Sequence, residues 1–167
     1  VPRKAGHFLQ GEIYMEKIQE LKKIIEENNK ILFFTGAGVS TLSGIPDFRS
    51  ANGLYNNHKY KYPPERMLSR SFFFSKTEEF YRFYKDFFDV RKFEPNIVHQ
   101  KIAELENAGK SIGVITQNVD GLHIKAGSKN VVEYHGSIYR NKCRNATKDC
   151  PKDISADFVL DSVGVPR

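Results

Sequence analysis

Cysteine is scarce in this sequence, which contains only two among its 167 residues. Two thiols cannot form the dense disulfide framework that stabilises small secreted domains. No apolar run approaches the roughly 20 residues that a membrane-spanning helix requires, and no signal-peptide core follows the N-terminus. These absences predict a protein of a reducing, cytoplasmic setting that has no membrane partner.

Acidic residues are outnumbered by basic ones, which leaves a net charge of +6 and an isoelectric point of about 9.2. The basic residues form no long block, so a solvated, mildly basic surface explains them. Attraction to a dinucleotide or to nucleic acid is the alternative. Because no zinc finger, RNP motif or helix-turn-helix signature is present, no specific nucleic-acid partner is predicted. The length supports one hydrophobic core.

The apolar periodicity predicts an α/β fold. Apolar residues at i, i+3 and i+4 spacing predict helices, and short apolar runs predict buried strands that are apolar on both faces, as in parallel sheets. The predicted helices cover residues 14–29, 64–69, 76–90, 96–108 and 121–125, and the predicted strands cover residues 31–35, 111–116 and 130–134. This alternation is typical of a layered α/β domain.

A glycine-rich turn follows the first predicted strand directly. Gly36 and Gly38 lack a Cβ, so backbone can approach a ligand closely, and its N–H groups can face phosphate oxygens. The fingerprint of ordinary dehydrogenases needs a third glycine where Thr41 stands, and an acid about 20 residues on. Residues 55–59 contain no acid. An ordinary NAD dehydrogenase is therefore disfavoured, and a tight turn without a ligand is the alternative to a nucleotide site.

Polar side chains follow the other two predicted strands. Gln117, Asn118 and Asp120 come after the second strand, and His135 comes after the third. Because the carboxyl ends of parallel strands are where α/β sheets bind ligands, one composite site is predicted. His135 suits a general base, with a hydrogen-bonded structural histidine as the alternative. For Asn118 and Asp120, the alternative is a structural role in a turn or as a helix cap.

Three segments resemble the signature motifs of the sirtuins, the NAD-dependent protein deacylases. They are Ser43-Gly-Ile-Pro-Asp-Phe-Arg-Ser50, Thr116-Gln-Asn-Val-Asp-Gly-Leu-His123 and Glu133-Tyr-His-Gly-Ser137. The resemblance extends over nearly the whole chain and is to roughly the N-terminal two-thirds of a bacterial-type member. It implies a Rossmann-like parallel sheet with helices on both faces, formed by residues 12–50 and 91–137. It also implies a small module of two insertions, a helical one (51–90) and an incomplete zinc-ribbon-like one (138–167).

For function, the resemblance implies NAD-dependent removal of acetyl, or other apolar acyl groups, from an acetylated protein or peptide. The acyl oxygen attacks the nicotinamide ribose, nicotinamide leaves, and His135 activates a ribose hydroxyl, which gives free lysine and O-acetyl-ADP-ribose. His135, Asn118 and Asp120 are then the catalytic residues. The implied cofactor-binding residues are Gly36, Ala37, Gly38, Ser40, Asp47, Phe48, Arg49, Gln117, Asn118, Val119, Asp120 and His135.

Simpler roles stand beside these assignments. Asp47 and Arg49 would form a surface ion pair beside a buried Phe48, and Ser40 would merely cap a helix. His123 matches its motif but is predicted to be structural. The remaining histidines are assigned to packing or to the surface, namely His7, His58 and His99.

The predicted helix over residues 76–90 bears on the choice of acyl group. In the family, a Tyr-x-x-Arg pair on this helix marks enzymes that remove acidic acyl groups. Here the matching pair is Tyr81 and Tyr84. A neutral substrate pocket is therefore expected, with a preference for acetyl or longer apolar acyl groups over succinyl.

The chain departs from the family pattern towards its C-terminal end. The family's structural zinc is held by four cysteines in two Cys-x-x-Cys pairs, whereas only Cys143 and Cys150 exist here. We expect zinc in a longer protein rather than in this chain, and we expect the C-terminal strands to be missing. The truncated chain is expected to be weakly active or inactive. An ADP-ribosyltransferase or NAD glycohydrolase, or a non-catalytic NAD-binding fragment, is the alternative, and no oligomeric state is predicted.

Overall fold

A computed structural model describes residues 4–56, 59–144 and 153–167, with side chains from Tyr14 onward. The helices are α1 (Lys4–Glu27), α2 (Pro64–Met67), α3 (Arg70–Ser75), α4 (Thr77–Phe88), α5 (Ile97–Asn107), α6 (Leu122–Lys125) and α7 (Ala156–Asp161). The strands are β1 (Ile31–Thr35), β2 (Ser111–Thr116), β3 (Val131–Glu133), β4 (Asn141–Lys142) and β5 (Asp153–Ile154). Segments Ala37–Ser43 and Leu54–Asn56 are 3₁₀ helices.

Each predicted helix and strand has a counterpart at its expected place. The elements that were not predicted are α3, α7, β4, β5 and both 3₁₀ helices. The start of α3 is stabilised by Ser69, whose Oγ accepts the Phe72 N–H at 3.2 Å as an N-cap. The first 3₁₀ helix ends at Gly44, which has a φ of 93° that favours glycine. The serine N-cap and the glycine with positive φ are both local features. They lie in segments where the spacing of apolar residues does not predict a helix.

Strands β1, β2 and β3 form a parallel sheet with β2 in the centre. The register places the last residues of the three strands, Thr35, Thr116 and Glu133, in one row. Because paired residues project to the same face of a sheet, these three side chains share one face. Helix α5 packs against β2.

Strand β1 has apolar residues on both faces, as predicted, but the expectation that both faces are buried is wrong. Leu32 and Phe34 are 51% and 67% exposed, and Val132 on β3 is also exposed. The alternate residues Phe33 and Val114 are half-buried and buried. The described residues therefore cover one face of the sheet well and leave apolar side chains open on the other.

Helix α1 is amphipathic, as predicted, but begins at Lys4, ten residues earlier than expected. Its apolar side chains Ile18, Leu21 and Ile24 are exposed. Surface ion pairs at i, i+4 spacing, such as Lys22 with Glu26, lie between them. None of the described helices is both long and apolar enough to cross a membrane.

The aromatic stripe of α4 belongs to a separate small core. Its buried residues are Leu54, Met67, Phe72 and Phe83, and Phe80, Phe87 and Phe88 pack around them. Strands β4 and β5 pair antiparallel, and α7 follows. The division into residues 12–50 with 91–137, 51–90 and 138–167 stays a prediction.

Candidate functional site

A buried polar cluster lies where β1 and β2 end. Ser40 Oγ donates to Asp120 Oδ2 at 2.7 Å, and Asn118 Nδ2 donates to Ser40 Oγ at 3.0 Å. All three side chains are buried, although Ser40 precedes the other two by about 80 residues in the chain. The structure thus brings together side chains that follow these two strands, and their role as one ligand site stays a prediction.

Local hydrogen bonds hold the β2 part of this cluster in place. The Asn118 N–H donates to Thr116 Oγ1 at 3.1 Å, and the Leu122 N–H donates to Asp120 Oδ1 at 2.9 Å. Asp120 therefore also caps the first turn of α6, so the cap proposed as an alternative exists alongside the polar cluster. Gly121 between them has a φ of 71°.

Two buried histidines extend the cluster, and the first of them is His99, which the sequence assigned to packing or the surface. His99 is 0% exposed; its Nδ1 accepts the Asn96 N–H at 3.3 Å, and its Nε2 lies 3.5 Å from Ser40 Oγ. The spacing of Asn96 and His99 is that of a capping box at the start of α5. From that spacing, the position of His99 at the start of a helix could have been predicted. Besides packing, His99 therefore contacts the polar cluster through Ser40.

His123 lies beside His99, with the ring centroids 4.8 Å apart in a T-shaped arrangement, and its Nε2 is 3.0 Å from Thr35 Oγ1. Burial lowers the pKa of His123 to about 4; the neighbouring His99 lowers it further and Asp120 opposes both effects. Burial also lowers the pKa of His99. Both imidazoles are therefore neutral near pH 7.

His135 lies at the end of β3 and is exposed, unlike the other two histidines. Its Nδ1 is 3.1 Å from the Gln117 carbonyl oxygen, which can only accept a hydrogen bond. In the neutral form of the ring, the proton is therefore on Nδ1 and the lone pair is on Nε2. Nε2 has no hydrogen bond to the part of the chain that the structure describes, so it is available to a ligand.

The glycine turn and the segment after it present backbone and side chains to open space. A Cβ added at Gly36 or Gly38 would meet no atom within 4 Å, and neither glycine has a positive φ. Asp47 Oδ1 accepts the Ser50 N–H at 2.9 Å, and hydrogen bonds from the side chain and the backbone of Ser50 lower the pKa of Asp47. Arg49 lies over the Tyr55 ring at 5.8 Å. Within residues 14–56 and 59–144, Asp47 and Arg49 do not form the surface ion pair considered as an alternative.

Phe48 and the predicted substrate-pocket residues lie in aromatic surroundings. Phe48 is half-buried, and its ring is tilted against that of Tyr55 at 5.4 Å. On α4, the Tyr84 ring stacks between Phe80 and Phe88, and Tyr81 lies edge-on at 6.4 Å. Burial raises the pKa of Tyr84 to about 12, so its hydroxyl is neutral.

The metal-ligand prediction is only partly described. Cys143 follows β4 as a half-buried free thiol, and Cys150 lies outside the described residues. Within the described ranges, no three His, Cys, Asp or Glu side chains are grouped so that they could hold a metal ion. A groove of about 820 Å³ between α4 and the segment after α7 contains none of the predicted site residues.

Comparison with known sequences agrees with these motifs. The sequence profile of the Sir2 family matches residues 36–162. An NAD-dependent protein deacetylase of Clostridium acetobutylicum is 50% identical over 151 residues, which are 90% of this chain and 60% of that protein. The corresponding protein of Clostridium perfringens is 50% identical over 153 residues, 91% of this chain and 61% of that protein. The chain thus spans about 60% of the length of these relatives.

Solved structures agree as well. A Sir2 variant with a deacetylated p53 peptide and 3'-O-acetyl ADP-ribose superposes with a TM-score of 0.76 at 38% identity, covering 86% of this chain and 55% of the other. A Sir2 complex with a p53 peptide and NAD⁺ gives a TM-score of 0.71 at 38% identity, covering 89% of this chain and 57% of the other.

Proposed function

Because the chain belongs to the Sir2 family, we propose that it forms part of an NAD-dependent protein deacetylase. It would remove acetyl, or other apolar acyl groups, from protein lysines and yield nicotinamide and O-acetyl-ADP-ribose. One observation carries this proposal: the buried cluster of Ser40, Asn118 and Asp120 lies at the same sheet edge as an exposed His135, whose Nδ1 contacts the Gln117 carbonyl and whose Nε2 has no hydrogen bond to the described residues.

The residues at this edge are suited to a dinucleotide. The backbone at Gly36 and Gly38 faces open space, which leaves room for phosphate or ribose oxygens close to the chain. Arg49 is exposed and forms no ion pair within the described residues, so its guanidinium can bind those oxygens. When bound, NAD supplies the glycosidic bond that is cleaved and the ribose that receives the acyl group. The residues that would hold it are Gly36, Ala37, Gly38, Ser40, Asp47, Phe48, Arg49, Gln117, Asn118, Val119, Asp120 and His135.

Asp120 and Asn118 are assigned to the nicotinamide side of the site. Each Asp120 oxygen already accepts one hydrogen bond, from Ser40 or from the Leu122 N–H. A carboxylate oxygen can accept a second, so Asp120 can bind the carboxamide NH₂ of nicotinamide. Because the protein bonds hold the carboxylate in one orientation, little reorganisation is needed on binding. Asn118 retains its Oδ1 for a ribose hydroxyl or a fixed water.

His135 is assigned as the general base. Its Nδ1 donates to the Gln117 carbonyl, which orients the ring and directs the basic Nε2 away from the protein. Nε2 would remove the proton from a ribose hydroxyl, and the oxygen would then attack the carbon that came from the acetyl group. General-base catalysis of this kind contributes a factor of about 10² to 10⁴ in rate. Phe48 would shield one face of the ribose from water.

The acyl pocket is proposed to be neutral. Tyr84 is held between two phenyl rings and its raised pKa keeps it uncharged, so it offers no cation to a succinyl carboxylate. Tyr81 and Tyr84 would therefore favour acetyl or longer apolar acyl groups. We propose an acetylated protein or peptide as the partner and the cytoplasm as the setting. We further propose that Cys143 and Cys150 alone do not close a zinc site in this chain.

The proposal can be tested by mass spectrometry of the chain mixed with NAD and an acetyl-lysine peptide. The expected products are the deacetylated peptide and O-acetyl-ADP-ribose, with the rate reduced about 10²- to 10⁴-fold in His135→Ala. Tyr134→Phe, at the exposed neighbour of His135, serves as the matched control and should retain the rate.

Other outcomes separate the alternatives. Free ADP-ribose with an untouched peptide would indicate a glycohydrolase. NAD binding by calorimetry without any product would indicate a non-catalytic fragment of the longer protein. Absence of NAD binding would contradict the proposed cofactor role of residues 36–49 in this chain.

A further inference from the structure

Glu133 has a buried carboxylate without a hydrogen-bond donor among the described residues. Its side chain is 1% exposed. Burial of a charged carboxylate is costly unless an opposite charge or donors compensate it. A buried, ionisable side chain of this kind needs a partner or a function.

The charge partner of Glu133 is Arg140. Arg140 Nη1 lies 2.6 Å from Glu133 Oε2, but not in the geometry of a hydrogen bond, so the contact is an ion pair. The Arg140 side chain is 60% exposed, and the residue directly precedes β4, the first strand of the second insertion. The pair thus connects the end of β3 to the base of that insertion.

The position of Glu133 places this pair next to His135. Glu133 is the last residue of β3, and His135 follows it in the turn after the strand. The Gly136 N–H donates to the Glu133 carbonyl at 3.1 Å, which closes the turn around His135. Glu133 also lines, with Asp120 and His123, a narrow gap that has no room for a water molecule. Movement of Glu133 would therefore reach His135 through the backbone of one short turn.

We propose that the Glu133–Arg140 ion pair is a positioning pair, which holds the turn around His135 so that Nδ1 stays on the Gln117 carbonyl. Through Arg140, the fold of the second insertion controls the orientation of the imidazole that carries the general-base role. This inference rests on the proposed function for its catalytic meaning, but its structural content concerns the histidine alone. An ion pair that contributed only to stability would have no effect on that imidazole in the folded protein.

The test uses the tautomeric state of His135, read from the imidazole ¹⁵N chemical shifts of the whole chain without NAD. The wild type should show the Nδ1–H tautomer, because Nδ1 donates to Gln117. With five histidines in the sequence, His135→Asn identifies the relevant signals. In Arg140→Ala and Glu133→Gln, the Nδ1–H signature should be lost, and both nitrogens should shift towards the average of exchanging tautomers.

Matched variants make the result decisive. Arg140→Lys keeps the charge and should restore much of the signature, whereas Glu104→Gln removes one partner of an exposed ion pair on α5 and should change nothing. Because Arg140 is exposed, its variants keep the test valid if Glu133→Gln does not fold. Retention of the wild-type His135 shifts in folded Arg140→Ala, with only a lower urea midpoint, would overturn the proposal.

A second readout ties the pair to catalysis. If the chain or its longer form deacetylates peptide, Arg140→Ala should lower kcat by about 10- to 100-fold with little change in KM, because a misplaced base affects the chemical step. Absence of deacetylase activity in every variant would count against the proposed function alone, since the ¹⁵N result does not depend on turnover. An unchanged kcat in Arg140→Ala beside an active wild type would count against the positioning role.

Discussion

Replacement of Ser40 by alanine should destabilise the folded chain by about 3 kcal/mol. The hydroxyl donates to the Asp120 carboxylate at 2.7 Å and accepts from the Asn118 amide at 3.0 Å, and Ser40 is 1% exposed. A hydrogen bond to a charged group contributes about 1.5–3 kcal/mol, and a buried amide without its acceptor costs about 1 kcal/mol more. Water cannot easily replace a hydroxyl in a site of this burial.

The assay is urea denaturation followed by far-ultraviolet circular dichroism, since the chain has no tryptophan to serve as a fluorescence probe. The same variant should unfold about 6–12 °C lower on heating, at about 2–4 °C for each kcal/mol in a chain of this size. The exposed Ser71 is the matched control, because its Oγ contacts only the Ser69 hydroxyl at 3.1 Å. Ser71→Ala should change the free energy of unfolding by less than about 0.5 kcal/mol.

A double-mutant cycle separates the Ser40–Asp120 bond from general packing. If the bond to the charged oxygen dominates, Ser40→Ala should cost at least about 1 kcal/mol less in the Asp120→Asn background. A loss below about 1 kcal/mol in the single variant, or strict additivity in the cycle, would refute the reasoning. Either result would mean that Ser40 is not coupled to the carboxylate and that the cluster is less rigid than its distances indicate.

Three further perturbations test other parts of the fold. The pKa of His123 is about 4 in the folded chain, against an ordinary value of 6.5. Between these two pH values, the His123 imidazole is therefore protonated in the unfolded chain but not in the folded one. Stability should fall by about 2–3 kcal/mol as the pH drops from 6.5 to 4, and urea midpoints in His123→Gln should show a flatter dependence; an equal slope would contradict this. Gly121→Ala should lower the free energy of unfolding in urea by about 2 kcal/mol, because the φ of 71° strains alanine and its Cβ would lie 2.8 Å from the Tyr139 ring. Adding Tyr139→Ala should relieve the clash but not the backbone strain. A wild-type urea midpoint in Gly121→Ala alone would contradict this prediction. Arg91 bonds Asp89, Asp157 and Asp161, a geometry that lysine cannot reproduce, so Arg91→Lys should speed amide exchange in α7, and unchanged exchange would show that the helix is held otherwise.

Local signals in the sequence predicted the main helices and the strands of the parallel sheet, and they indicated several candidate site residues. The spacing of apolar residues predicted β1, β2 and β3, and short motifs after each strand indicated Asn118, Asp120 and His135. These inferences succeed because strand periodicity, helix caps and glycine turns depend on neighbours within a few positions. The catalytic and cofactor roles of those residues stay predictions that the experiments above address.

Contacts between distant segments were decided only by the tertiary structure. The Ser40–Asp120 bond joins residues 80 positions apart, and no local pattern encodes which hydroxyl meets which carboxylate. His99 was assigned to packing or the surface because a helix start gives no sign of the neighbour against which it will be buried. Whether Leu32 and Phe34 are covered likewise depends on what packs against the sheet, and an apolar strand has the same sequence in both cases. The spacing of apolar residues in the sequence indicates which side chains prefer burial, whereas the tertiary fold determines which residues they contact.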